Sequence, residues 1–254
     1  MLEENIKYSE SFSDFTENSY RSIINLAKSK FVFSRFHDRA TSVRHVLWRH
    51  DVDFSMHRAA KLAKIENEAG VHATYFLHFH TLFYNVLSRP IIELIHQIIK
   101  LGHDIGLHFD PGFYNHSLDK DEFVSRIEFE KQLIEHYIGV SPVAISFHNY
   151  GFLENLDYCD EDIICGMVNA YGKTIRRDYG YVSDSNGIWR FRRLYNVLEE
   201  APEEKLHVLT HPEWWTPTVM SPRKRIQRCI DGYAKAIAND YDETLKKCGR
   251  PNVL

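Results

Sequence analysis

The spacing of hydrophobic positions alternates between short apolar runs and helical periods, which predicts strands and helices in turn. Phe15, Tyr20, Ile23, Ile24, Leu26 and Ala27 fall at helical spacing within Asp14–Lys30 and predict an N-terminal helix. His45–Arg49 is a short apolar strand that runs into His-Asp-Val-Asp. Ser55 is placed to cap a helix through Asn67, and Gly70 to stop it. His72–Phe79, rich in β-branched and aromatic residues, predicts a strand. Pro90 suits the first turn of the next helix. That helix has an apolar face of Ile91, Ile92, Leu94, Ile95, Ile98 and Ile99, and it ends at Gly102. A strand follows over Ile105–Phe109. Phe123, Ile127, Leu133, Ile134 and Tyr137 mark a helix stopped by Gly139. Val143–Phe147 and Leu206–Thr210 read as strands, with shorter ones near Ile163–Val168 and Gly180–Ser183. Ile226, Cys229, Ile230, Tyr233, Ile237, Tyr241 and Leu245 make a long amphipathic C-terminal helix.

This alternation predicts an α/β fold with a mainly parallel sheet, either a barrel or a doubly wound sheet. Both architectures gather functional groups at the C-terminal ends of the strands. With no internal repeat and no Pro/Gly/Ser linker, residues 1–254 are expected to form one domain, with a motif-bearing core at about 43–216.

Four predicted strands end in polar clusters: Arg49-His50-Asp51-Val52-Asp53, His108-Phe109-Asp110, Ser146-Phe147-His148-Asn149 and Thr210-His211-Pro212-Glu213. Parallel strands would bring all four to one face. One carboxylate and two neutral imidazoles suit zinc or another first-row divalent ion, with positions left open for water. A second carboxylate and a further histidine could then serve as base and acid. Each residue also has a plainer role available. Asp51 and Asp53 could cap the following helix, His108 and His148 could be hydrogen-bonded structural residues, and His211-Pro212 could be a turn. His72, His78 and His80, at alternating positions in or beside a strand, could be core or surface. Trp214 and Trp215 could line a sugar-binding wall or fill the core.

Composition narrows the class. Hydrophobic residues are 44% and charged residues 26% of the 254, which excludes a disordered chain. Lys+Arg minus Asp+Glu is 31 − 35 = −4, so there is no basic excess for nucleic acid. No apolar run approaches the ~20 residues that span a bilayer. The acidic start, Met1–Phe15, lacks the pattern of an export signal, so a cytoplasmic location is expected. The four cysteines form no CxxC pair and read as reduced thiols. Histidine is abundant, at 15 residues.

The clusters, in this order, resemble the polysaccharide deacetylases, the chitin-deacetylase-like family with the NodB-homology fold. The likeness covers about Val46 to Trp215. Leu47-Trp48-Arg49-His50-Asp51-Val52-Asp53 is similar to a strand ending in Thr-Phe-Asp-Asp-Gly, and Ala73-Thr74-Tyr75-Phe76 to Ala-Thr-Phe-Phe. Gly102-His103-Asp104-Ile105-Gly106-Leu107-His108 is similar to Gly-His-Glu-Ile-Gly-Asn-His, and Leu209-Thr210-His211 to Leu-x-His. The resemblance implies a distorted (β/α) barrel of about seven strands and metal-dependent hydrolysis of an acetyl group on a sugar. It implies that Asp51 is the base, Asp53 and His108 are metal ligands, and His211 protonates the leaving amine.

Two departures stand out. Val52 separates two acidic residues that are adjacent in the family, so the roles of Asp51 and Asp53 could be exchanged. Where the family has its second metal histidine this chain has Gly112, and His148 could replace it, with Asp110 or His116 in reserve. Asp184 and Arg190 fall where the family keeps groups that orient the base. Arg49, Tyr150 and the two tryptophans are further candidates for orienting or substrate contacts, and backbone N–H groups near Tyr150-Gly151 for the oxyanion. Zinc is the expected ion, with cobalt or nickel as alternatives. A nucleotide- or lipid-linked sugar would suit a cytoplasmic enzyme. The alternatives are a hydrolase of another non-peptide C–N bond and a non-catalytic carbohydrate-binding relative.

Overall fold

The structure, a computed structural model of the chain, describes residues 10–39, 42–114, 119–149, 157–189 and 191–253. Its strands are β1 (Val32–Phe33), β2 (His45–Val52), β3 (Thr74–Leu77), β4 (Asp104–Phe109), β5 (Ala144–Phe147), β6 (Ile163–Ile164), β7 (Met167–Asn169), β8 (Gly180–Ser183) and β9 (Lys205–Thr210). Its helices are α1 (Glu17–Lys30), α2 (Met56–Ala69), α3 (Arg89–Lys100), α4 (Lys120–Ile138), α5 (Lys173–Asp178), α6 (Leu194–Glu200) and α7 (Pro222–Lys247). The strands form a curled, mainly parallel half-barrel in the order β6-β7-β5-β4-β3-β2-β9-β8, with β1 paired to β2. This is the distorted barrel expected.

Local chemistry sets the element ends. The Ser55 side chain accepts from Arg58 N to cap α2, and Gly70 closes that helix at φ 69°. The Asp119 carboxylate accepts from Glu122 N to cap α4, and Gly139, at φ 81°, ends it. Two expectations change. Ile163–Val168 is a tight antiparallel pair, β6 with β7, turned by Cys165 and Gly166 at positive φ. β3 is only four residues long, so His72, His78 and His80 lie outside it.

All eight residues of β2 are buried, so both faces of the sheet are covered. Its period of two separates them. Trp48 and His50 face the helix side, where Tyr20 of α1 and Glu66 of α2 meet them. Leu47 packs with Phe36, Phe76, Ala144, Val168, Ala170, Ile175 and Tyr179 in a separate cluster that plugs the base of the concave side. Arg49 and Asp51 continue that side toward the C-terminal rim. Neighbouring registers, Asp51 beside Phe76 and His108 beside Ser146, bring the strand ends level.

Candidate metal centre

Asp-x-Asp on a strand puts both carboxylates on one face. Val52 turns away into the apolar core, while Asp51 and Asp53 both line a cleft of about 600 Å³ on the concave side. The rim is clamped from the loop after β3, where the Tyr84 hydroxyl donates to Val52 O and Thr81 Oγ1 donates to Asp53 O.

Asp53, His108 and His148 each offer a ligand atom, and these atoms lie within 4.8 Å of one another. His108 Nδ1 sits 2.7 Å from Ser146 Oγ, which leaves Nε2 aimed at Asp53 Oδ1, 3.3 Å away. His148 Nδ1 is 3.3 Å from the same His108 Nε2 and 3.8 Å from Asp53 Oδ1. Asp53 Oδ1 is buried and accepts no well-formed hydrogen bond, although imidazole nitrogens surround it. An orphaned carboxylate oxygen facing imidazoles is the donor set a divalent cation requires. Burial works against the Asp53 charge, but His108 and then His78 hold its carboxyl well below the usual range. Burial lowers the His148 pKa, which favours the neutral imidazole that a metal needs.

Asp51 is held differently. Arg49 Nη2 donates to its Oδ2 at 3.0 Å, and Ser146 Oγ donates to Oδ1 at 3.3 Å. Arg49 is itself fully buried, fixed by the Tyr171 hydroxyl at 2.7 Å and by the Tyr171 ring at 4.7 Å. Burial alone would raise the Asp51 pKa, yet Arg49 and His108 bring it below the usual value, so Asp51 is ionised at neutral pH.

His211 completes the rim. Its Nδ1 donates to Asp184 Oδ1 at 2.6 Å, and its backbone N–H also donates to that carboxylate. Its Nε2 points into the cleft, 3.8 Å from Asp53 Oδ2. Burial opposes protonation, but Asp184 overrides it and pushes the His211 pKa up to about 10. Glu213 is fully buried on the same rim with neither oxygen partnered among the described residues, and burial raises its pKa well above the usual value.

Several expectations are revised. Asp184, expected to orient the base, instead orients His211, and Arg49 holds Asp51. Trp214 lines the cleft with Phe54, Phe147, Tyr171 and Tyr181, whereas Trp215 is wholly buried against Phe15 and Tyr20 and touches no part of it. Asp110 faces His78 rather than the Asp53 group. Tyr150, Gly151, Arg190 and the reserve ligand His116 lie outside the described residues. Sequence reasoning missed Ser146 as the tether of His108, Tyr171 as the stack for Arg49, and His78. For His78 a signal existed, because it stands just past a strand end as the four named clusters do.

No known family profile matches the chain, and no curated protein is similar to it. Solved structures are similar in fold. A peptidoglycan N-acetylglucosamine deacetylase has 21% identity, covering 84% of this chain and 86% of that one at a TM-score of 0.45. A polysaccharide deacetylase from Bacillus cereus has 17% identity, covering 74% and 88%, also at a TM-score of 0.45. A family 4 acetyl xylan esterase from Clostridium thermocellum, in complex with cobalt, has 14% identity, covering 81% and 92% at a TM-score of 0.43.

Proposed function

We propose that the cleft is the active site of a metal-dependent hydrolase that removes an acetyl group from an N-acetylated sugar. One observation carries this reading: the Asp53, His108 and His148 group stands beside an arginine-held carboxylate and an aspartate-held histidine. Those three residues would hold the ion. One carboxylate and two imidazoles suit zinc, cobalt or nickel. When bound, such an ion supplies Lewis-acid polarisation of the acetyl carbonyl and lowers the pKa of water.

The chain's own residues do the rest. Asp51, ionised and fixed by Arg49, takes the proton of the attacking water. His211, protonated through its pair with Asp184, delivers a proton from Nε2 to the departing amine. Ser146 holds His108 in the tautomer that frees Nε2. Trp214 and Phe54 line the cleft and give a sugar apolar surface to pack against.

Elemental analysis of the purified chain, coupled to acetate-release assays on a panel of N-acetylated amino sugars, tests the reading. We expect about one metal equivalent per chain, and none in a His108→Ala/His148→Ala double variant. Asp51→Asn should keep the metal and lose roughly 10²–10⁴-fold in rate, the contribution of a general base. Undiminished turnover by Asp51→Asn would remove it from the base role. A wild type that takes up no zinc, cobalt or nickel would leave carbohydrate binding without catalysis as the function of this cleft.

A further inference from the structure

His78 lies just beyond β3, two residues past the inward-facing Phe76, and is only 4% exposed. Among the described residues neither of its ring nitrogens makes a well-formed hydrogen bond, yet each faces a carboxylate. Nδ1 is 3.5 Å from Asp53 Oδ1, and Nε2 is 3.6 Å from Asp110 Oδ2. Its ring centroid is 4.6 Å from that of His148 and 5.4 Å from that of His108. A buried polar group without a partner is unfavourable, and among the described residues both ring nitrogens of His78 are in that state. Closing each gap by about 0.5 Å would bring both into hydrogen-bond range.

The ligand atoms of Asp53, His108 and His148 are mutually close, and His78 does not join that group. Its direct approach to the ligand set through a nitrogen is to Asp53 Oδ1. A carboxylate oxygen has two lone pairs, one for a cation and one for an N–H donor. We propose that His78 is a positioning residue of the metal centre. It bridges Asp110 and Asp53 and fixes the Asp53 carboxylate at the angle that presents Oδ1 to the ion. This rests on the metal-centre reading above and adds to it a chain of support, Asp110 to His78 to Asp53, that sets how tightly the ion is held.

The test is Co(II) titration of the full chain, read by visible absorption and by competition with a chelator. The variants are His78→Ala, His78→Gln and Asp110→Asn, and the melting temperature of each metal-free protein is measured alongside. We expect His78→Ala to bind Co(II) about 10–100-fold more weakly, as loss of an outer partner does. Its absorption bands should stay in place. Asp110→Asn should weaken binding in the same direction, and His78→Gln, whose amide can donate to Asp53, should recover part of the loss. Equal Co(II) affinity in wild type and His78→Ala would overturn the role of His78 while leaving the metal centre intact. A band shift in His78→Ala would also overturn it, by making His78 a direct ligand. If His78→Ala fails to fold, Asp110→Asn decides: wild-type affinity in that variant overturns the proposal. A wild type that binds no Co(II), Zn(II) or Ni(II) overturns the metal centre and, with it, this role.

Discussion

The Asp184–His211 pair shows how much one buried contact sets. Burial alone would strip the proton from His211, and the carboxylate at 2.6 Å reverses the outcome, so that its pKa rises from 6.5 to about 10. A raised folded-state pKa stabilises the fold fully below the unfolded value and loses that contribution as pH climbs through the folded one. The stability advantage of wild type over His211→Gln should therefore be greatest below pH 6.5 and shrink as pH rises toward about 10, as followed by urea unfolding across that range. In Asp184→Asn the largest influence opposing desolvation is lost and only Asp53 and Glu213 remain against it, so the His211 titration should move down from its wild-type position, which NMR titration of the imidazole protons will show. An unmoved His211 titration in that variant would refute the pairing as the cause.

At this scale the residues the structure gathers in the cleft were those at strand ends: Asp51, Asp53, His108, His148 and His211 were legible because period-two alternation and parallel pairing leave them no other place to go. Partnership was not legible. Asp184 pairs with His211 rather than with Asp51, and the state of Glu213, unpartnered among the described residues, depends on which neighbours cover it, which no local pattern records.

At the scale of elements, β4 illustrates a demand that a strand pattern conceals. Gly106 sits in mid-strand, where glycine is ordinarily unfavourable. A Cβ there would lie 2.6 Å from Phe76 Cδ1, 2.7 Å from Phe76 Cε1 and 3.0 Å from Ala144 O. Phe76 fills the concave base precisely where a side chain from β4 would otherwise enter, below the level of His108. Gly106→Ala should therefore destabilise the protein by about 1–3 kcal/mol, the usual cost of overpacking a core. Denaturant unfolding measures this, and a cost below about 0.5 kcal/mol, typical of a surface change, would show that the Phe76 ring yields freely. The same scale explains which elements could be foreseen. α2 was readable at both ends from Ser55 and Gly70, and α4 at its end from Gly139, whereas its cap, Asp119, went unread. α5 and α6, with six and seven residues, are too short to display a helical period, and tertiary contacts through Ile175 and through Leu194, Val197 and Leu198 decide them.

Across the whole molecule, the segment leading into α1 meets the segment that follows β9. Glu17 N donates to Thr216 O and Thr216 N donates to Phe15 O, so the start of α1 is stitched to the segment just after His211. Phe15 stacks on Trp189 at 4.9 Å and meets Trp215 at 5.2 Å, and Asp14 pairs with Arg193 at 2.6 Å. α7 joins this seam through Arg225. Its guanidinium is fully buried, donates to Gly187 O and Phe12 O, and lies 5.0 Å from the Phe15 ring centroid. Burial of that charge is costly enough to lower the Arg225 pKa to about 10, so the two carbonyls and the ring must compensate for lost water. Beyond Cys229 the helix buries no further side chain, and Ile230, Tyr233, Ile237 and Tyr241 remain exposed along it. Despite its 26 residues, it is not apolar enough to cross a membrane. The stability contributed by α7 should thus be concentrated in its first two turns. Removing residues 233–254 should shift the melting temperature by no more than about 4 °C, the equivalent of roughly 1 kcal/mol in a chain of this size. Arg225→Ala should cost several times more, because it strands two buried acceptors at about 1–3 kcal/mol each. Because the seam ends at Thr216, close to His211, that variant should also loosen the His211 rim and weaken any activity, whereas the truncation should not. Calorimetry of the two proteins side by side separates these cases, and a truncation that melts as early as Arg225→Ala would place the anchor of α7 further along the helix than its buried side chains indicate.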